Sequence, residues 1–346
     1  MVEHNRHNGP VFIIGYPRSG TTLLRALLGA HSEIELVNEP GLIRGLRTAG
    51  HNVNDVFPRE TLPTLLEQLR KVGPSRRHLQ ALSSETLREF IYTRRRTFKQ
   101  VYELLLPKPK GYVVWGEKSV GNIFYIRELH QLYPDAVFVH IIRDPRAALL
   151  SHYRKRYAGC ADALPPFDVD SIRFFVHGAL LWNQWYNAAE RASRSLGGRI
   201  VLQVGYRELV TNPEKQLTDI CRAVGLKFEP DMLDSANRQH DPVLIPKNGT
   251  AYAHRNLAQP IKPERANSFD ELPAWAAFIV EKYVGHRLAA LGFAPSKHKP
   301  GTVEKIRVGL EMLIAERKIY SNVLKDVAIR HGLTKPTPPT SLRKTA

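Results

Sequence analysis

Two short stretches of the chain carry residue types and spacings suited to gripping phosphate or sulfate groups. The first is Gly15-Tyr16-Pro17-Arg18-Ser19-Gly20-Thr21-Thr22, a G-x-x-x-x-G-x-[ST] pattern between an apolar run and a helical one. Glycine at both ends lets the backbone curl so that successive N–H groups point inward, and the positive end of the following helix falls on the same spot. A Walker A loop has lysine where Thr21 stands. Here the cation lies inside the loop as Arg18, whose planar guanidinium suits two oxygens at once. Ser19, Gly20, Thr21 and Thr22 complete the cradle. An ordinary strand-to-helix turn accounts for the glycines but not for the arginine and the paired threonines.

The second stretch begins with the apolar run Ala136–Ile142, passes into Arg143-Asp144-Pro145-Arg146 and continues as a helix bearing Ser151. Arg143 and Ser151, eight residues apart, supply a charged and a neutral donor to a second phosphate. Asp144 could instead end a Walker-B-like strand and hold Mg²⁺. A surface ion pair between Arg143 and Asp144 is the plainer alternative.

Residues so far apart in sequence meet only if the fold brings strand ends together. Candidate strands are Val11–Gly15, Tyr112–Gly116, Ala136–Ile142 and Arg199–Val204, with helical patterns over Thr21–Ala30, Ile123–Leu132 and Phe174–Arg191. Strands alternating with helices predict an α/β fold, a P-loop NTPase-like central parallel sheet flanked by helices on both faces. In such a sheet both stretches open on the carboxyl edge. A further helix is signalled by Asn212 as N-cap, Pro213 in its first turn and Gly225 as its stop.

With 346 residues, 43% hydrophobic and 24% charged, the chain is neither collagen-like nor largely disordered. Its formal net charge of +17 points to anionic partners without saying which. Two cysteines, Cys160 and Cys221, make neither a disulfide framework nor a metal-ligand spacing. No apolar run approaches the ~20 residues that span a bilayer, and the first ten residues have no apolar stretch. These features predict a cytoplasmic protein, with its basic segments available for peripheral membrane contact. The expected organisation is a flexible segment 1–9, a main domain 10–295 with a basic helical insertion at about 60–108, a helical extension 300–331 and a disordered tail 332–346. Within the insertion, Arg70 to Lys99 holds nine basic residues against two acidic. That stretch is either a solvated helix face or a cap that recruits an acidic or membrane-bound acceptor. After Pro300, Val303, Ile306, Leu310, Leu313, Tyr320, Leu324 and Val327 recur at near-helical spacing, which predicts an amphipathic helix packed on its own domain.

Taken together, PRSGTTLL and RDPRAALLS resemble the sulfotransferases that use 3′-phosphoadenosine 5′-phosphosulfate (PAPS), in the variant seen in bacterial and tyrosylprotein sulfotransferases. The likeness runs from about Pro10 to Phe293. A late Arg-Lys-Gly…Gly motif, typical of the small-molecule cytosolic type, is absent. The resemblance implies that the first loop holds the 5′-phosphosulfate and that Arg143 and Ser151 hold the 3′-phosphate, leaving Asp144 no metal to bind. It implies a catalytic base at Glu39, 21 residues after Arg18, with Asn38 where the family often has a second acid. Glu39 capping the next element is the alternative, and His31 is the rival base unless it simply ends its helix. Lys118, in VVWGEKSVGN, resembles the lysine that stabilises the transferring group; an ion pair with Glu117 or Glu39 is its plainer role. Tyr206, in YRELV, falls on a position beside the 3′-phosphate. Lys262, in QPIKP, matches a loop that closes over the cofactor, or else lies on a surface loop.

The implied activity is sulfuryl transfer from PAPS to a hydroxyl of a carbohydrate, glycolipid or small metabolite, leaving adenosine 3′,5′-bisphosphate, with no metal. An atypical P-loop kinase needing ATP and Mg²⁺ is the alternative within enzymes. A basic nucleic-acid binder is the alternative outside them, but no nucleic acid is expected, because no groove-reading module accompanies the charge.

Overall fold

Alternating side-chain direction along short apolar strands sets the centre of the molecule. The computed structural model describes residues 9–71, 75–106, 114–158, 164–198, 201–238 and 257–330. Its strands are β1 (Val11–Ile14), β2 (Ile34–Asn38), β3 (Val56–Pro58), β4 (Arg95–Thr97), β5 (Val114–Lys118), β6 (Val137–Ile142) and β7 (Val201–Gly205). Five of them form a parallel sheet in the order β2-β5-β1-β6-β7, while β3 and β4 pair antiparallel on their own. The helices up to the first long one are α1 (Thr21–Leu28), α2 (Leu42–Thr48), α3 (Leu62–Arg70), α4 (Ser75–Ala81), α5 (Ser84–Ile91), α6 (Phe98–Glu103), α7 (Ile126–Leu132) and α8 (Pro145–Tyr153). They are followed by α9 (Val169–Ser195), α10 (Tyr206–Thr211), α11 (Pro213–Ala223), α12 (Ala274–Ala290) and α13 (Thr302–Arg330).

The chain forms two compact units. One holds the chain up to Leu164 together with Trp182–Leu272, and the other holds Pro165–Leu181 together with the chain from Pro273 onward. In the first unit, Phe12 and Ile14 enter one core with side chains of α3, α6 and α7, while Val11 and Ile13 enter another with α1, α10 and α11. This period-two alternation covers both faces of the sheet with helices. β1 lies in the middle: the chain leaves it for β2 on one side, and β5 later crosses over it to β6 on the other, the switch-point arrangement that opens a crevice at the carboxyl edge. β5 approaches β1 so closely that a Cβ on Gly116 would meet the Val11 carbonyl oxygen at 1.9 Å; only glycine fits there. In the second unit, Phe175 and Trp275 pack edge to face at 5.6 Å, and Ile279, Val280 and Val284 are buried.

Several expectations need correction. β2 was not foreseen: Ile34 and Leu36 are buried while Glu35 between them is exposed, so this edge strand offers too few apolar residues to stand out. β5 reaches Lys118 and β7 reaches Gly205, each past the expected carboxyl end; Tyr112, Arg199 and the tail 332–346 lie outside the described residues, as do residues 1–8 and Cys160. The stretch 123–132 is split into a tight turn at Val120–Phe124 and α7. Arg95 and Arg96 lie on β4 rather than on a helix face, and Arg96 stacks over the Phe90 ring at 4.8 Å. Asn212 precedes α11 without any side-chain cap bond. On α13 the residues that bury are Val308, Met312 and Ala315, whereas Val303, Ile306, Leu310 and Leu313 face solvent. Among the described residues, no helix is long and apolar enough to cross a membrane.

His140 sits fully inside β6, where burial pushes its imidazole down to about 4. The unfolded chain takes up that proton first, so the contribution is complete above pH ~6.5 and is lost as the pH falls toward the folded value. Urea melts at pH 7 and pH 5 should show stability dropping by about 2 kcal/mol from this group. His140→Phe should remove that increment.

Candidate active site

Every strand of the parallel sheet ends beside a residue of interest. Gly15 follows β1, Glu39 follows β2, Lys118 closes β5, Arg143 follows β6 and Tyr206 follows β7. One sheet edge therefore gathers residues separated by up to 191 positions in sequence.

The loop after β1 has the shape that its glycines predict. Gly20 caps α1 in the left-handed region at φ +96, with no side chain closing the helix N-terminus. The first N–H groups of α1 thus have no side-chain cap bond. A Cβ at Gly20 would meet the Tyr206 ring at 2.5 Å, so the tyrosine that opens α10 and the β1 loop require each other's shape. Ser19 is buried and its Oγ has no hydrogen-bond partner among the described residues, and the same holds for Nε of Arg143. Two buried donors without acceptors, beside an uncapped helix end, fit an anionic group.

The two motifs interlock. Arg18 Nε donates to Ser151 Oγ at 3.1 Å, and Arg143 donates to the Arg18 carbonyl oxygen at 3.0 Å. Arg143 also donates to Ser268 Oγ at 2.7 Å and lies 4.2 Å above the Tyr206 ring. Burial lowers the guanidinium pKa, against the pull of Tyr206 and Asp144. Lys155, just past Ser151, is also lowered, by burial first and then by the charge of Arg18, while Glu39 acts the other way.

Lys118 is 2% exposed, and its Nζ meets Glu39 Oε1 at 2.7 Å. Burial depresses the ammonium; Glu39 opposes this by charge and hydrogen bond, while Arg25 and Lys155 add to the depression. Glu39 itself is about one-third exposed and therefore reachable from solvent. Among the described residues, Arg18 at φ +68 and Glu39 at φ +51 are the two non-glycine residues with positive φ. Glu39 also precedes Pro40, which favours extended backbone. Each such conformation costs on the order of 1–3 kcal/mol and persists only where its surroundings enforce it. At Glu39 the enforcing bond runs from its N–H to the Lys118 carbonyl oxygen, at 2.7 Å.

Behind this pair is a network that the sequence did not reveal. Glu117 is fully buried and accepts from Tyr102, from Asn122 at 2.5 Å and from Ser119 at 2.8 Å. Ser119 Oγ accepts in turn from the N–H of Gly41, at 3.4 Å. Burial raises the Glu117 carboxyl, and the three donors and Lys118 pull it back. The available signal was a glutamate and a lysine side by side at the end of an apolar strand.

Other expected residues are placed as follows. Asp144 caps α8 and is held by Arg146 through its backbone N–H at 2.9 Å and its guanidinium at 3.0 and 2.6 Å. It is therefore neither the surface partner of Arg143 nor free to lead a kinase-like metal site. His31 is at the opposite end of α1, bonded to the Lys227 carbonyl oxygen at 2.9 Å and facing Glu229; it does not meet Glu39's neighbours. Thr21 is buried and Thr22 half-buried at the start of α1. Lys262 is exposed at the head of the segment 263–271, and the contact from that segment to Arg143 comes from Ser268.

Comparison with known proteins gives a consistent result. A family model described as "Sulfotransferase family" matches residues 10–230. Protein-tyrosine sulfotransferase A of Caenorhabditis elegans is 26% identical over 86% of this chain and 70% of its own length. The protein-tyrosine sulfotransferase of Drosophila melanogaster is 25% identical over 87% of this chain and 54% of its own length, so the chain spans about half of that relative. Among solved structures, the sulfotransferase domain from the curacin biosynthetic pathway superposes with a TM-score of 0.55 at 18% identity. That match covers 86% of this chain and all of that domain, and it speaks for a shared fold.

Glu117→Gln would turn an amide N–H toward groups that already donate. Leaving a buried donor unsatisfied costs about 1–3 kcal/mol, so chemical denaturation should show a loss of that size. An unchanged midpoint would mean that the carboxylate network does not hold the Lys118 strand end.

Proposed function

The chain belongs to the sulfotransferase family, and from that premise we propose that it transfers a sulfuryl group from PAPS to an acceptor hydroxyl, with Glu39 as the base. When bound, PAPS supplies an activated sulfuryl group on a phosphate that departs. The observation that carries this reading is the coincidence of strain and charge: the two strained non-glycine residues, Arg18 and Glu39, are the loop cation and the solvent-reachable carboxylate.

The roles follow from position. The β1 loop and the α1 N-terminus, with Ser19, Gly20, Thr21 and Thr22, hold the 5′ end in the manner of a P-loop, which is also how we read the β1–loop–α1 unit of the sheet. Arg18 adds a fixed positive charge there. Arg143, Ser151 and Tyr206 hold the 3′-phosphate, with the Tyr206 ring backing the Arg143 guanidinium. Lys262 serves as a loop cation near the same end. Lys118 sets its charge where negative charge grows on the transferring group, and Glu39 takes the acceptor's hydroxyl proton at a carboxylate oxygen. The Lys118–Glu39 pair keeps both ionised groups in place until an acceptor arrives. Among the described residues, no cluster of His, Cys, Asp and Glu gathers as a metal site, and none of these roles calls for one.

For the acceptor, a carbohydrate, glycolipid or small metabolite hydroxyl is our first reading. A peptide tyrosine is the second, favoured by the names of the curated relatives. Incubation with labelled PAPS and a cell extract, followed by mass identification of the sulfated product, decides between them.

Arg18→Ala and Glu39→Gln should each abolish turnover. Only Arg18→Ala should also weaken adenosine 3′,5′-bisphosphate, by about 10- to 100-fold in calorimetric titration, the loss expected for charge-assisted bonds. Near-normal rates in Glu39→Gln with the true acceptor would remove Glu39 as base. Arg143→Ala should weaken adenosine 3′,5′-bisphosphate far more than adenosine 5′-phosphosulfate, which lacks the 3′-phosphate; equal losses would remove that assignment.

A further inference from the structure

Helix α13 carries two apolar faces. On one, Val308, Met312 and Ala315 are buried, and α12 joins this side through Tyr283, whose hydroxyl donates to Glu316 at 2.5 Å. On the other, Val303, Ile306, Leu310 and Leu313 are 60–81% exposed, with Ile314 beside them at 51%. The exposed residues are spaced by three, four and three, which is the a/d frame of a heptad. The sequence continues that frame through Arg317, Tyr320, Leu324 and Val327, so seven of eight a/d positions over four heptads are apolar. In the same frame Val308 and Ala315 are f positions and Met312 is a c position. The docked face and the exposed seam therefore lie on opposite sides of the helix.

A repeat of 3.5 residues, held over four heptads, is the pattern of a helix covered by another helix. We propose that this seam is a self-association surface, covered by α13 of a second copy of the chain running antiparallel to the first. The seam is self-complementary in that direction: position 303 falls opposite 327, 306 opposite 324, 310 opposite 320 and 313 opposite 317. Arg317 then lies across from Leu313, where its stem can cover the leucine while its guanidinium reaches water. A parallel pairing would set Arg317 against Arg317 inside a closed seam, two like charges in contact.

The area is adequate. Five aliphatic side chains at this exposure form a patch on the order of 500 Å², and two such patches bury roughly 1,000 Å², the lower bound for a specific interface. A lipid surface is the less suitable occupant. Helices that lie on anionic membranes flank their apolar face with Lys and Arg. Here the flanking e and g positions of the first two heptads carry one charge of each sign, Arg307 and Glu316, and Arg307 is stacked over Phe167 at 4.5 Å.

Sedimentation equilibrium of the full chain, from about 1 to 100 µM, reads the concentration dependence directly. The wild type should approach twice the chain mass. The double variant Leu310→Glu/Leu313→Glu should stay at the single mass with an unchanged circular dichroism spectrum, because both side chains are exposed. In a Cys160→Ser background, Ile314→Cys, close to the two-fold axis, should cross-link between copies on oxidation and Val303→Cys should not; efficient cross-linking of both would overturn the antiparallel direction. A wild type that remains single at every concentration overturns the proposal, whether or not the variant folds. So does a dimer that survives both glutamates. Co-sedimentation of a monomer with phosphatidylcholine–phosphatidylserine vesicles, lost in the double variant, would instead assign the seam to lipid and overturn the second copy.

Discussion

A lysine withdrawn from water beside a strand end sets the terms for the active edge. Removing an ammonium from solvent costs several kcal/mol even after relaxation, and Lys118 is 2% exposed. The compensating carboxylate has to come from a neighbouring strand, and β2 delivers Glu39. To point that side chain back at Lys118, the backbone turns left-handed at Glu39, just before Pro40, and is fastened by the bond to Lys118's own carbonyl oxygen. The bond from Gly41 through Ser119 to Glu117 anchors the next residues of the turn. The orientation of the Glu39 carboxylate, the strain at its backbone and the buried carboxylate network are thus successive consequences of one desolvated cation.

The loop after β1 was legible because its demands are local. Gly15 and Gly20 must adopt conformations that other residues resist, and the strand before them and the helix after them are short and regular. β1 and β6 were legible because both faces of each are buried, giving unbroken apolar runs. β2 was not, since an edge strand with one wet face offers only Ile34 and Leu36 as a signal. Nor could sequence show that Arg18, Ser151 and Arg143 are bonded to one another across 125 and more positions. Spacing within a motif says which residues share a loop; only sheet order says which loops share an edge. The partner of Asp144 stayed open for a related reason. Its neighbour Arg143 was its obvious partner, yet a helix N-terminus turns residue 146 toward the cap, and Arg146 takes the carboxylate instead.

The excess positive charge is not one feature. Arg18, Lys118 and Arg143 converge at the sheet edge, where an anion would meet fixed, largely buried cations. The basic stretch near residue 95 behaves differently: Arg59 covers Tyr92 at 4.6 Å, Arg96 covers Phe90 and Lys99 lies 4.5 Å over Tyr133. Over Phe90 and Tyr133, both buried, the long side chains shield the rings from water, a packing role that needs no ligand, whereas Tyr92 beneath Arg59 stays 77% exposed. Net charge alone cannot separate these two uses, because both count equally in the sum.

The left-handed backbone at positions 18 and 39 has an evolutionary reading. Glycine adopts that conformation freely, so glycine at either position would relieve strain and relax the fold, at the loss of the guanidinium or the carboxylate. Under the roles proposed for them, selection for stability and selection for chemistry pull these two positions in opposite directions. A descendant released from its catalytic duty would drift toward glycine there first, while the sheet, its cores and the interlocked tyrosine stayed as they are. The pair of positions works as a record of use: as long as arginine and glutamate occupy them, the strain is being maintained against the easier alternative.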